Sequence, residues 1–300
     1  MDMIQNKCCR HGANLRRRRR RRRKILRSII FSCSIIAVAV FVAVGSRMIR
    51  SGDGRTNKYD VEAGNNTYDN AVIENSKISE KNKIQNNQSM LDDIMNSTQY
   101  PKQLKDLALK NEEALEFVYD YPAEHVKEHT IDLTEEASMD SVPLFVQWDK
   151  RWGYEKYSGN FFAASGCGPT TLSMVVVYLT HNRDASPIAV AKYSKEAGYS
   201  VDGSGSSWTL ISEGCRHYGV KAKAVALDES RMKAELDEGH PIVVNVGPGD
   251  FTDTGHFMVI TGYDDEGFSI NDPNSIEKSG KRWLFKNISS QIRAVWSMYV

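Results

Sequence analysis

The stretch Gly166–Thr171, which reads GCGPTT, opens an apolar run from Leu172 to Leu179. Pro169 suits the first turn of a helix, where its missing N–H costs nothing, and a run that is apolar almost all round is typical of a buried helix. We therefore predict a core helix with Cys167 at its start. The positive end of a helix dipole lowers the pKa of a thiol, so Cys167 is a candidate nucleophile. The alternative is a small buried cysteine that only packs well.

The charge of this 300-residue chain is distributed very unevenly, although its net value is only +1. Residues 1–27 carry twelve Lys/Arg and one Asp, whereas the remainder carries 27 Lys/Arg and 37 Asp/Glu. An acidic body argues against nucleic-acid binding by the main domain. Five cysteines are too few and too scattered for a disulfide framework, and only Cys167 and Cys215 lie in the body.

The N-terminal region predicts a membrane anchor. A basic cytosolic tail, residues 1–24, is followed by a segment that includes nineteen uncharged residues from Ser28 to Ser46. That length spans the roughly 30 Å hydrocarbon core of a bilayer. We interpret residues 25–46 as an uncleaved transmembrane signal anchor, because Ala37 and Ala39 form a poor cleavage site deep in the run. The positive-inside rule then predicts a single-pass protein of the cell membrane with the rest of the chain outside.

Two segments connect the anchor to the body. Residues 47–98 are rich in Asn and charged residues and contain no Trp or Phe, so we predict a disordered stalk. Residues 99–140 are predicted as a helical preface and loop, because Leu and Val recur at helical spacing within Tyr100–Tyr121. The preface is expected to dock on the domain that follows.

The body, residues 141–300, is predicted to be one α+β domain. After the helix at Cys167, a second helix is expected from Ser206 through Cys215 to a stop at Gly219. Three runs then predict strands at 241–246, 256–263 and 268–271. Because the helices precede the strands, we expect an antiparallel sheet.

His256 begins the second of these strands, and Asp272 directly follows the third. If the two strands form a hairpin around the turn at residues 264–267, the start of one lies beside the end of the other. The two side chains are then neighbours. A cysteine at a helix start that faces a histidine oriented by an aspartate is the general arrangement of an activated thiolate. The histidine takes the thiol proton and later protonates the leaving group.

Five short motifs mark the body: Val142–Pro143, Gln147–Asp149, Gly166–Thr170, Gly255–Phe257 and Asn271–Pro273. In this order and at these separations they resemble the bacteriocin-processing, double-glycine-leader cysteine peptidase family in a stand-alone form. The resemblance implies a papain-like fold, in which an N-terminal catalytic helix packs on an antiparallel sheet. It implies Cys167 as the nucleophile, His256 as the general base and Asp272 as the orienting residue.

The chain differs from this family at one position, which concerns the oxyanion hole, the group of donors that binds the developing negative oxygen. The family carries a donor glutamine six residues before the cysteine, where this chain has Phe161. The backbone N–H of Cys167 is one natural donor, and Gln147 is the best candidate for the second. The alternative is that Gln147 only hydrogen-bonds backbone groups in the opening segment. The sequence has no ATP-binding cassette, so we do not expect its substrate to be a leader peptide whose cleavage is coupled to export.

Cys215 is predicted to be a packed core thiol, with a Cys167–Cys215 disulfide as the rival interpretation on the oxidising side of a membrane. No spacing of His, Cys and carboxylates predicts a metal site, and no cofactor is expected. The sequence thus predicts a membrane-anchored extracytoplasmic cysteine peptidase that cleaves peptide or protein substrates through an acyl-enzyme. The alternatives are a catalytically silent peptide- or cell-wall-binding module and a cell-wall amidase or transpeptidase with the same residues.

Overall fold

A computed structural model describes the backbone of residues 65–300 and the side chains from residue 79 onward. The predicted tail (1–24), the predicted anchor (25–46) and the first part of the predicted stalk lie outside the described residues. From residue 65 onward, no helix combines the length and the apolar character that crossing a bilayer requires. Residues Val72–Val300 form one compact unit.

The described part of the chain contains twelve α-helices. They are α1 (Asn65–Asn96), α2 (Lys102–Lys110), α3 (Leu115–Tyr119), α4 (Tyr121–Glu124), α5 (Thr134–Ser138), α6 (Phe162–Ser165), α7 (Cys167–Thr180), α8 (Pro187–Glu196), α9 (Thr209–Ser212), α10 (Glu229–Asp237), α11 (Ile276–Ser279) and α12 (Phe285–Ile288). Short 3-10 turns lie at Glu112–Ala114, Gly214–Tyr218 and Ser289–Gln291.

The main sheet has six strands in the order β5-β10-β6-β7-β8-β9, and every neighbouring pair is antiparallel. Two small hairpins, β1–β2 and β3–β4, lie outside it. The strands are β1 (Lys156–Tyr157), β2 (Asn160–Phe161), β3 (Ser200–Val201), β4 (Gly205–Ser206), β5 (Lys221–Ala224), β6 (Ile242–Val246), β7 (His256–Asp264), β8 (Gly267–Asn271), β9 (Arg282–Trp283) and β10 (Ile292–Tyr299).

The predicted core helix is confirmed as α7. Its residues from Gly168 to Val177 are all buried, which agrees with a sequence that is apolar on every face. His181 ends the helix in the left-handed conformation, with φ at 57°, and its N–H bonds the carbonyl of Val177. The all-round burial arises because α7 packs between the sheet and a further layer of helices.

Both faces of the sheet are covered. Val243, Val259 and Met298 face α7 and belong to the larger core cluster. The neighbouring strand residues, including Val244 and Ile260, point to the opposite face, where they pack with Met232 of α10 and Ile288 of α12. The α+β prediction is therefore confirmed, and the three predicted strands agree with β6, β7 and β8 to within one residue.

The prediction of a disordered stalk over 47–98 is wrong for its described part, because residues 65–96 form helix α1. Its last turns are tied down by tertiary contacts: Ile94 is fully buried, and Met90 and Leu91 pack against the same apolar cluster. That cluster includes Leu104 of α2 and Phe117 of α3. A few apolar side chains at one end thus stabilise a helix whose composition is otherwise polar.

The preface is not the single helix that its periodicity predicts. Asn111 has an extended backbone, with φ at −136° and ψ at 99°, and ends α2. Its side chain then accepts a hydrogen bond from the N–H of Glu113, at 3.0 Å, and so caps the next turn. The preface packs on the body as expected, through contacts that reach Phe161 and Ala163.

The predicted helix from Ser206 to Gly219 is also divided. Ser206 belongs to strand β4, α9 ends at Ser212, and the 3-10 turn Gly214–Tyr218 follows. The break occurs at Glu213, whose φ of −126° is outside the helical range. Gly219 does act as the predicted stop, with a left-handed φ of 74°.

Candidate active site

The start of α7 places Cys167 at the surface of an otherwise buried helix. Cys167 is partly exposed, whereas the ten residues after it are buried. Its glycine neighbours are required by close packing: a Cβ at Gly168 would lie 2.5 Å from Ser206 Oγ, and one at Gly166 would lie 2.6 Å from the Phe162 ring. As the first residue of the helix, Cys167 has a backbone N–H without an intrahelical partner.

His256 and Asp272 form a buried pair. His256 is the first residue of β7, pairs with Val246 of β6, and is 5% exposed. Asp272 follows β8 and is fully buried. His256 Nε2 lies 2.7 Å from Asp272 Oδ1. The hairpin therefore brings the two predicted residues together.

Cys167 completes this arrangement. Its thiol lies close enough to the imidazole of His256 for each group to shift the pKa of the other. Because Nε2 contacts Asp272, Nδ1 is the ring nitrogen left for the thiol. Next to the site, Thr171 Oγ1 donates to the carbonyl of Phe257 at 3.0 Å and fastens α7 to β7. The structure thus brings Cys167, His256 and Asp272 together in one row, in which His256 is hydrogen-bonded to Asp272.

The electrostatics of the row favour a charged pair. Burial opposes ionisation of the thiol, but the hydrogen bond and positive charge of His256 outweigh it, so the pKa of Cys167 is below its ordinary value. Burial alone would lower the pKa of His256, but the charge of Asp272 and the hydrogen bonds to Asp272 and Cys167 raise it to about 10. At neutral pH the row can therefore hold a thiolate beside an imidazolium.

Gln147 lies close to the row. It is 5% exposed and lines the same hollow as Cys167 and His256. Its Nε2 donates to the carbonyl of Ala163 at 2.8 Å, and its backbone N–H donates to the carbonyl of Pro273 at 2.7 Å. Its Oε1 is buried without a partner. Gln147 thus makes the backbone hydrogen bond of the alternative interpretation, and it also lines the hollow that contains Cys167.

Two hollows meet at the thiol and form an open groove. The first, of about 510 Å³, contains His256 and Gln147 and is here called the His256 hollow. The second, of about 710 Å³, contains Ser206 and Trp208 and is called the Ser206 hollow. Both are lined by Asn160, Ala164, Cys167, Thr254 and Gly255.

Sequence reasoning missed Asn160, which lines both hollows. Asn160 begins β2, and its Oδ1 accepts a hydrogen bond from the N–H of Phe161 at 2.8 Å. A lone asparagine carries no periodic or motif signal, so nothing in the sequence marks this position.

Cys215 is a buried free thiol, and Cys167 is free as well, so the rival disulfide between them is absent from the described structure. Burial raises the pKa of Cys215 to about 11, which makes it a poor nucleophile. Among the described residues there is no group of three or more His, Cys, Asp or Glu side chains arranged to hold a metal ion.

Two solved structures resemble parts of the chain. The peptidase domain of Streptococcus ComA, a bi-functional ABC transporter of a quorum-sensing pathway, is 20% identical with a TM-score of 0.36, covering 45% of this chain and 90% of its own. A protein from Bacillus anthracis described as a C39-like peptidase is 18% identical with a TM-score of 0.33, covering 53% of this chain and 95% of its own. No curated protein matches the chain.

A family model decides the assignment. The model of the Peptidase_C39 like family matches residues 139–300, which is more than half of the chain and includes the whole Cys167–His256–Asp272 row. The helices on an antiparallel sheet agree with the papain-like fold that the sequence motifs predict. This protein belongs to the Peptidase_C39 like family.

Proposed function

We propose that the protein is a cysteine peptidase that hydrolyses peptide bonds through an acyl-enzyme on Cys167. The family supports peptidase function in general. The observation that carries the specific proposal is the row of Cys167, His256 and Asp272 in an open groove, with a lowered thiol pKa and a raised imidazole pKa. This combination is what nucleophilic catalysis by a thiolate requires.

The proposed reaction has two stages. The Cys167 thiolate attacks the carbonyl carbon of the scissile bond, and the carbon–nitrogen bond breaks as His256 Nδ1 gives its proton to the leaving amine. Water, deprotonated by His256, then attacks the thioester, and the carbon–sulfur bond breaks to restore the thiolate. Asp272 keeps the imidazole oriented and stabilises its positive charge. The N–H of Cys167 and the side chain of Gln147 are proposed to hold the developing oxyanion.

A thiol-reactive peptide electrophile should label Cys167 and leave Cys215 unmodified. Because the pKa of Cys167 is lowered, labelling of Cys167 should already become fast at pH values below about 8.5, the ordinary pKa of a thiol. Cys215 stays protonated at these pH values. Mass spectrometry of the labelled protein from pH 5 to 9 measures both.

The Cys167→Ala protein is the control for this labelling, and it should take up no label. Modification of Cys215 in the native protein, or a labelling rate that rises only near the ordinary thiol pKa, would count against an activated thiolate at Cys167.

We also propose that residues 25–46 anchor the protein in the cell membrane with the peptidase domain outside. The support is the uncharged run Ser28–Ser46 and the basic residues before it. Protease added to intact spheroplasts should remove the chain beyond about Ser51 while an N-terminal tag survives, and detergent should expose the tag. Digestion of the tag from outside, or a mature chain that begins after Ala39, would refute the anchor.

A further inference from the structure

The family match begins at residue 139, but side chains from the preface reach the loop that carries Asp272. Asn111, which ends α2, donates from Nδ2 to the carbonyl oxygen of Asn274 at 2.9 Å and to its side-chain Oδ1 at 3.1 Å. The N–H of Asn274 in turn donates to Asp272 Oδ1 at 2.8 Å. Asn111 is therefore connected, through the hydrogen bonds of Asn274, to the carboxylate that contacts His256.

Glu113 holds the next part of the same loop. Its Oε2 accepts hydrogen bonds from the backbone N–H groups of Ile276 at 2.7 Å and Glu277 at 3.1 Å, and its Oε1 accepts one from the hydroxyl of Ser275. Ser275 also caps α11 by accepting from the N–H of Lys278 at 3.0 Å. One carboxylate thus accepts hydrogen bonds from three consecutive residues, Ser275 to Glu277, shortly after Asp272.

The hydrogen bonds of Asp272 connect it directly to this loop. Its Oδ1 accepts from His256 and Asn274, its N–H donates to Ser279 Oγ at 2.9 Å, and its Oδ2 has no partner. Asn274 and Ser279 belong to the segment that Asn111 and Glu113 fasten. Movement of this segment would therefore displace the carboxylate of Asp272, and the imidazole of His256 would lose its fixed orientation.

We propose that Asn111 and Glu113 are positioning residues that hold Asp272 against His256, so that the preface is part of the catalytic unit. The inference rests on the proposed function of the Cys167–His256–Asp272 row. The same preface also forms one wall of the His256 hollow, through Gln103, Asp106, Leu107, Lys110 and Asn111. The preface therefore contributes to the groove as well as to the row.

The test compares Glu113→Ala, Glu113→Gln and Asn111→Ala in the full chain. Glu116→Ala is the matched control, because Glu116 is an exposed acid one turn later on the same segment. We expect kcat for a peptide substrate to fall about tenfold to a hundredfold in Glu113→Ala, as small misplacements of catalytic groups do. Glu113→Gln keeps acceptor oxygen and should lose less, and Glu116→Ala should match the native protein.

The dependence of kcat on pH distinguishes a positioning role of Asn111 and Glu113 from a role in stability alone. The charge of Asp272 raises the pKa of His256, so a loosened Asp272 should move the alkaline limb of kcat to lower pH by about one pH unit. The other charged groups that line the His256 hollow are unchanged in these variants; they are Asp106, Lys110, Asp250, Asp253 and Lys278. A lower melting temperature with an unmoved alkaline limb would overturn the proposal.

A second measurement is independent of turnover. The ring of His256, followed by nitrogen NMR during a pH titration, should lose its proton at lower pH in Glu113→Ala and Asn111→Ala than in the native protein. If the native protein hydrolyses no peptide but the titration shifts, the proposed function fails and the positioning role stands. If the titration of His256 is the same in all variants, the positioning role fails.

Discussion

Replacing Cys167 with alanine is expected to abolish peptide hydrolysis, with a loss of roughly a thousandfold or more, as when a member of a catalytic triad is removed. No other described thiol can substitute, because Cys215 is buried with a raised pKa. The assay is the rate of cleavage of a mixture of internally quenched peptides. Fold integrity is checked by the melting temperature, which should change little because Cys167 is only partly buried.

Cys215→Ala is the matched control for this loss. It removes the other free thiol of the described residues and should keep the native rate, at a modest cost in melting temperature because the side chain leaves a small core cavity. Hydrolysis by Cys167→Ala at the native rate would end the nucleophile assignment.

His256→Ala should reduce the rate nearly as much, because the thiolate loses both its proton acceptor and its counter-charge. The double variant Cys167→Ala/His256→Ala should be no slower than either single variant, since residues that act as one unit are not additive. If the two losses are additive, Cys167 and His256 act independently and not as one catalytic unit.

The row could be predicted from the sequence because each part carries a local signal. The helix at Cys167 is marked by Pro169 and an apolar run, and the β7–β8 hairpin by two strands and a short turn. Val259 pairs with Asn271, so Asp272 lies just beyond the paired residues, near the start of β7 where His256 stands. A bulge between Ile260 and Gly262 shifts the register without separating the pair.

The parts that could not be predicted depend on contacts between distant residues. Asn111 and Asn274 are 163 positions apart, and no periodicity connects them. The end of α1 is ordered by burial of Ile94 against α2, which outweighs its polar composition. Strand β5 alternates lysine and alanine at the edge of the sheet, so its pattern lacks the β-branched residues that predict a strand.

Gln147→Ala is expected to lower kcat about a hundredfold, which is the usual cost of removing one oxyanion donor. The Nε2 of Gln147 has two hydrogens, and the carbonyl of Ala163 takes one of them at 2.8 Å. The other remains for a substrate oxygen in the His256 hollow, which Gln147 shares with Cys167. The hydrogen bond to Ala163 would then fix the position of the amide, so that its second hydrogen can be donated to the oxyanion.

Loss of the Ala163 hydrogen bond also costs stability, by about 1 kcal/mol, so kcat must be compared on protein shown to be folded by its melting curve. Gln147→Glu separates the two effects. A carboxylate keeps the size of the side chain but cannot donate when ionised, and it places negative charge beside the developing oxyanion. We therefore expect Gln147→Glu to lose at least as much kcat as Gln147→Ala.

Asn160→Ala is the matched comparison, because Asn160 carries a side-chain amide and lines both the His256 hollow and the Ser206 hollow. If Gln147 is the donor, Asn160→Ala should keep kcat within a few-fold of the native value while Gln147→Ala loses about a hundredfold. The reverse pattern, with native kcat in a folded Gln147→Ala protein and a large loss in Asn160→Ala, would transfer the role to Asn160. In that case Gln147 would serve only to tie the opening segment of the domain to Ala163 and Pro273.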